Sequence, residues 1–160
     1  MNKAIPRIAF ETIGNTIMFV LLALFFTKGM VITEVDGRII VSPTIYIYFF
    51  IVYMFVYVVI LALWNRKQGA PWYHLLSGIQ LHKDADEREK AVTYRATKAA
   101  YYVAMGSILL AVVLLAFINL KSASTGIYVD FYVAGVWLFA LCCVAINLAF
   151  SLAWCIEYRK

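Results

Sequence analysis

Residues 43–64 read PTIYIYFFIVYMFVYVVILALW, 22 positions without a charge. As a helix rising 1.5 Å per residue this stretch reaches about 33 Å, enough to cross the hydrocarbon core of a bilayer. Pro43 suits a first helical turn, and Trp64 suits a membrane–water interface. Working outward, three further apolar runs fit the same template: residues 8–27, 99–120 and 129–156. The first spans 20 residues and is interrupted by Glu11 and Asn15. With no small-x-small cleavage site before the next segment, it reads as a retained anchor rather than a signal peptide. The last run has 28 residues with Asp130 at its leading edge. At about 42 Å it exceeds the hydrocarbon core and should tilt or project.

Composition agrees with the runs. Of 160 residues, 64% are apolar and 14% charged, against about 45–50% and 25% in soluble domains. Mean hydropathy is +0.83. These values exclude a soluble globular enzyme, a disordered chain and a secreted disulfide scaffold. Four crossings take roughly 80–90 residues, which leaves no room for a separate soluble domain of about 100. The expected fold is a single all-α membrane domain over residues 1–160, with helices near 8–27, 43–64, 84–120 and 129–156.

Basic residues orient it. Lys3, Arg7, Arg66, Lys67, Lys83, Arg88, Lys90, Arg95, Lys98, Arg159 and Lys160 fall on one side; Lys28, Arg38 and Lys121 fall on the other. The positive-inside rule then places both termini and the 65–98 loop in the cytoplasm of a cell (plasma) membrane protein. The net charge of +5 reflects this distribution and contact with anionic lipid, and no nucleic acid is expected. On the outer side, 31–35 and 38–41 are β-branched segments around Asp36-Gly37. Asp-Gly supplies the positive φ angles of a type I′ turn, so a short external hairpin at 31–41 is expected. Residues 121–128 read as a polar turn.

The cytoplasmic loop divides in two. Its first half, NRKQGAPWYHLLSGIQLH, has an apolar surface with aromatic ends and reads as a connector at headgroup level, or a gate. The second half, KDADEREKAVTYRATKAAYY, places Asp84 or Asp86 at a helix start and basic residues towards the membrane. Helix three should therefore extend three to four turns into the cytoplasm. This extension is a solvated stub held by local pairs such as Glu87 to Lys90, or an arm that binds a cytosolic protein. The candidate partner-binding residues are Asp84, Asp86, Glu87, Arg88, Lys90, Arg95 and Lys98.

Asp86-Glu87-Arg88, followed by the basic small-residue stretch 98–102 and a membrane helix, resembles the D-E-R box of small uncharacterised prokaryotic four-helix membrane proteins, a domain-of-unknown-function family. The resemblance covers about 83–105. It implies a regulator, an immunity-type protein or a transporter accessory, and it carries no catalytic residue over.

Candidate chemistry is sparse. Glu11 is the one acid inside an expected span, where charge is costly; it either pairs with Lys3 or Arg7 at the interface, or couples a proton or cation. In that single respect the chain resembles small multidrug transporters, which lack the long loop. Gly135, Cys143, Asn147, Ser151 and Cys155 form a small or polar row on helix four, suited to helix packing or to a polar path with Glu11 and Asn15. Tyr46, Tyr53 and Tyr57 share a face of helix two and suit packing better than a quinone or haem site. The three cysteines (Cys142, Cys143, Cys155) form no C-x-x-C, and His74 and His82 are not spaced as ligands. No nucleotide-binding, hydrolase or metalloprotease motif is present. A lipid-modifying enzyme would need a polar pocket around His74. The expectation is a non-enzyme without cofactor or metal, which acts in the bilayer through a protein partner or as a homo-oligomer. Its candidate roles are sequestering a regulator, immunity, or accessory service to a transport complex. The alternative is a small oligomeric proton- or cation-coupled transporter or channel using Glu11, Asn15, Asn147 and Ser151.

Overall fold

A computed structural model describes residues 4–35, 38–67, 87–126 and 129–159. The element order is α1 (Ala4–Lys28), β1 (Met30–Val35), β2 (Arg38–Pro43), α2 (Ile45–Lys67), α3 (Glu87–Thr125) and α4 (Phe131–Arg159). All four helices are long and apolar enough to span a membrane.

Local chemistry sets their ends. α1 stops at Gly29, whose N–H still reaches the Phe25 carbonyl at 2.9 Å. The chain then turns into an antiparallel hairpin with register from Met30↔Pro43 to Val35↔Arg38. Asp36 and Gly37, the expected turn, lie outside the described residues. Pro43 closes β2 rather than opening α2, because Thr44 takes over the junction. Its N–H donates to Gly29 O (2.8 Å) and its hydroxyl sits 2.6 Å from Lys28 O, tying the end of α1 to the start of α2. α3 runs past Leu120 to Thr125: the Ser124 and Thr125 hydroxyls fold back onto Lys121 O, and Gly126, with φ of +67°, supplies the left-handed residue that ends the helix. Asp130 starts α4 by accepting the N–H groups of Tyr132 and Val133 at 3.0 and 3.2 Å.

The helices pack in the order α2–α1–α4–α3, with α1/α2, α1/α4 and α3/α4 as the helix–helix interfaces. Neighbours run in opposite directions: the start of α3 meets the end of α4, and the start of α1 meets the same end. The tightest core lies there. Trp154, 5% exposed, is clustered with Val92 and Ala96 of α3 and with Ile5 and Ile8 of α1. Elsewhere the helices display apolar side chains over most of their surface, among them Phe55, Val112, Val113 and Leu141. Patches of that size are untenable in water and are the surface a bilayer would cover.

Candidate functional site

α1 carries polar groups towards both of its neighbours. On the α4 side the Asn147 amide donates to Thr12 O (2.9 Å) and to Thr16 Oγ1 (3.3 Å). Ser151 Oγ touches Thr12 Oγ1. Each of these hydroxyls also lies within bonding distance of its own i−4 carbonyl, Thr12 to Ile8 O at 2.6 Å and Ser151 to Asn147 O at 2.9 Å. Two hydroxyl protons thus face three contacts, so one hydroxyl gives up its carbonyl to donate to the other. On the α2 side Tyr57 OH donates to Asn15 Oδ1 (2.9 Å) and Tyr53 OH to Gly14 O (2.7 Å). The two tyrosine rings stack at 5.8 Å. They approach α1 closely because residue 14 has no side chain; a Cβ there would collide with the Tyr57 ring. Glu11 pairs with Arg7 one turn earlier, Nε to Oε1 at 2.8 Å.

The four residues expected to form a polar site, Glu11, Asn15, Asn147 and Ser151, all lie at the interfaces of α1, but they do not converge on one pocket. Asn15 faces α2, Asn147 and Ser151 face Thr12 and Thr16, and Glu11 pairs along its own helix. Their partners Thr12, Thr16, Tyr53 and Tyr57 complete the seam. Thr12 and Thr16 follow Ile8 at i, i+4 spacing on the face towards α4, a weak signal in the sequence; Tyr53 and Tyr57 pack on α1 as their shared face implies and add hydrogen bonds to it.

The arm is the second feature. Its inner face, Val92, Ala96 and Ala100, is buried. Arg95 reaches Glu157 of α4 at 2.7 Å. Arg88 donates to Tyr158 O (3.1 Å) and lies over that ring, 5.6 Å from its centre. Trp154 Nε1 donates to Thr93 Oγ1 at 3.3 Å and stacks on Tyr158 at 4.6 Å. Arg88 and Arg95 therefore dock the arm on α4, while Glu87, Lys90 and Lys98 remain exposed. Among the described residues the ion pairs are Arg7–Glu11 and Arg95–Glu157; Glu87 and Lys90 do not pair. Asp84, Asp86, His74 and His82 lie outside the described residues, as does the connector 68–86.

Towards the hairpin end α1 and α4 line an open groove of about 480 Å³, with Phe19, Leu22, Phe26, Phe131, Gly135 and Phe139 among its walls. The Tyr132 hydroxyl bridges it to Phe26 O at 3.0 Å. Its walls are almost wholly apolar, with the Tyr132 hydroxyl as the polar side-chain group. Among the described residues no three His, Cys, Asp or Glu side chains gather in a way that could hold a metal ion. Cys142 uses its thiol on Ser107 O, 3.4 Å away, as a contact between α4 and α3.

Comparison with protein-family models, curated proteins and solved structures finds no match.

Proposed function

We propose that this is a four-span protein of the cell membrane, with both termini and residues 65–98 cytoplasmic, that acts without catalysis through protein contacts made by the arm. The positive-inside distribution of Lys and Arg supports the orientation. The observation that carries the role is the docking of the arm. Burial of Val92, Ala96 and Ala100 and the Arg88 and Arg95 contacts fix the first turns of α3, one continuous helix of 39 residues, about 58 Å long. Roughly half of that length suffices to cross the hydrocarbon core. A preformed projection binds a partner without the cost of ordering a segment on contact. Glu87 and Lys90, together with Asp84 and Asp86, would meet the partner, while Arg88 and Arg95 position the arm. Regulator sequestration, immunity and accessory service to a transport complex all fit such a module, as the D-E-R resemblance implies.

The rival is an oligomeric proton- or cation-coupled transporter, favoured by a carboxylate and two asparagines along the apolar lengths of α1 and α4. The seam weakens that reading, since Glu11, Asn15 and Asn147 each already hold a partner. Affinity purification of the tagged chain in mild detergent, with particle mass in the same preparation, tests the choice. Co-isolation of a stoichiometric protein that is lost on charge reversal at Glu87 and Lys90, and kept in Glu11→Gln, is the expected result. A partner-free homo-oligomer whose activity fails only in Glu11→Gln would establish the transporter instead.

A further inference from the structure

The arm has a second face that the docking contacts leave open. Lys90, Tyr94, Lys98, Tyr101 and Tyr102 follow one another at helical spacing, opposite the buried Val92, Ala96 and Ala100. All five are exposed, Tyr94 at 72%. Among the described residues neither lysine ammonium has an acceptor or an ion-pair partner, whereas both arginines of the arm are engaged on α4. Tyr101 and Tyr102 pack edge to face at 6.1 Å.

Height along the helix says what this face meets. Lys98 and Lys121 bracket an uncharged stretch of α3. Their separation is about 34 Å, slightly more than the hydrocarbon core. If the chain spans the membrane as proposed above, Lys98, Tyr101 and Tyr102 sit at its boundary with the headgroups and Tyr94 lies one turn further out. Lysine with tyrosine on both sides offers an ammonium and phenolic hydroxyls to a phosphate, with ring faces for the glycerol and upper acyl carbons. A protein partner would need a surface that fits a stripe pressed against the bilayer; a phospholipid is already there. We infer that Lys98, flanked by Tyr94, Tyr101 and Tyr102, is a binding site for the headgroup of an anionic phospholipid of the arm-side leaflet, with Lys90 adding longer-range attraction.

The test uses the full chain equilibrated with equimolar phosphatidylglycerol and phosphatidylcholine, the lipids retained being counted by native mass spectrometry. Wild type should enrich phosphatidylglycerol, and Lys98→Gln should lower that enrichment about five-fold, the effect of one basic residue at an anionic surface. Lys90→Gln should lower it less, while Lys98→Arg and, at the far end of α3, Lys121→Gln should preserve it. Helicity measured on the same samples confirms that each variant is folded. Unchanged enrichment in Lys98→Gln overturns the inference, as does an equal loss in Lys121→Gln, which would report bulk charge alone. Capture of a soluble protein by the stripe without phosphatidylglycerol enrichment also overturns it. Flotation with vesicles of phosphatidylcholine alone tests the membrane reading separately, since it does not depend on Lys98.

Discussion

Replacing Trp154 with Ala should release the arm while leaving the rest of the bundle in place. Three helices meet on this side chain: Ile5 and Ile8 of α1, Val92 and Ala96 of α3, and its own α4. It is 5% exposed. In a protein core Trp→Ala costs about 3–5 kcal/mol. Two specific contacts are included in that loss. The stack on Tyr158, at 4.6 Å and 13°, is worth about 1 kcal/mol, and the 3.3 Å bond to Thr93 about the same or less. Solvent or lipid can enter part of the space vacated, so the lower end applies, about 3 kcal/mol. Apart from the packing that Phe150, Ala153, Cys155 and Tyr158 add around Val92 and Ala96, the polar links between arm and α4 are made by Arg88 and Arg95, both exposed, and these contribute little to holding the arm. Hydrogen exchange of amides 89–98 should therefore speed up by more than about a hundredfold, since 1.4 kcal/mol is a factor of ten. Amides of α1 and α2 near the Tyr53–Gly14 contact should change little. Trp154→Phe retains most of the packing and loses the N–H, so its effect should be about ten-fold. An increase below five-fold in Trp154→Ala, or one spread evenly over all four helices, would refute the view that this residue is the arm's main anchor.

Other substitutions separate close approach, seam and surface charge. Gly14→Ala forces a methyl into the Tyr57 ring and should cost about 1–3 kcal/mol, whereas at Gly135 a Cβ meets nothing within 4 Å and Gly135→Ala should gain up to about 1 kcal/mol from helix propensity; melting both in one detergent checks the opposite signs, and shifts of the same sign contradict the geometry. Asn147→Ala should cost about 1 kcal/mol, in the range of hydrogen bonds between membrane helices. Ser151→Ala should cost less than about 0.5 kcal/mol, because it ends the competition for protons and lets Thr12 bond Ile8 O freely; a greater loss at Ser151 than at Asn147 would overturn that count. A double-mutant cycle on Arg95 and Glu157 should give only about 0.2–1 kcal/mol, since Arg95 is 66% exposed, and the coupling should shrink in high salt.

The apolar runs were legible because their signal is length and lack of charge, which no tertiary contact has to supply. Asp-Gly between β-branched segments likewise marked a hairpin by local chemistry. The ends of elements were less legible. Helix three looked finished at Leu120 because Lys121 and Ser122 read as polar turn residues, yet hydroxyls at Ser124 and Thr125 can satisfy helical carbonyls and Gly126 is the residue that ends the helix. The arm shows the deeper limit. Its helical spacing was visible, and local pairs such as Glu87–Lys90 were the natural way to stabilise it. Its actual partners, Trp154, Glu157 and Tyr158, lie some sixty or seventy residues away, and periodicity identifies a face without identifying the neighbour that the face meets.

The same limit explains the seam. A carboxylate or amide inside an apolar run looks functional because an unpaired polar group is costly there. The structure removes most of that cost by pairing: Glu11 with Arg7, Asn15 with Tyr57, Asn147 with Thr12 and Thr16. Between helices in an apolar solvent, hydrophobic burial discriminates little, because lipid tails are as apolar as Leu. Polar contacts and close approach then decide which helices adjoin. α1 has both on two sides, Gly14 and Asn15 towards α2, Thr12 and Thr16 towards α4, and it takes two neighbours. Along the apolar length of α3, among the described residues, the hydrogen bond to α4 runs from the Cys142 thiol to the Ser107 carbonyl. The remaining polar contacts of α3 with α4 are concentrated in the arm, where Trp154 buries apolar surface against Val92 and Ala96 and two arginines reach across. The arm is thus part of the bundle's tightest core rather than an appendage to it, because its first turns meet the end of α4 and the start of α1 around Trp154.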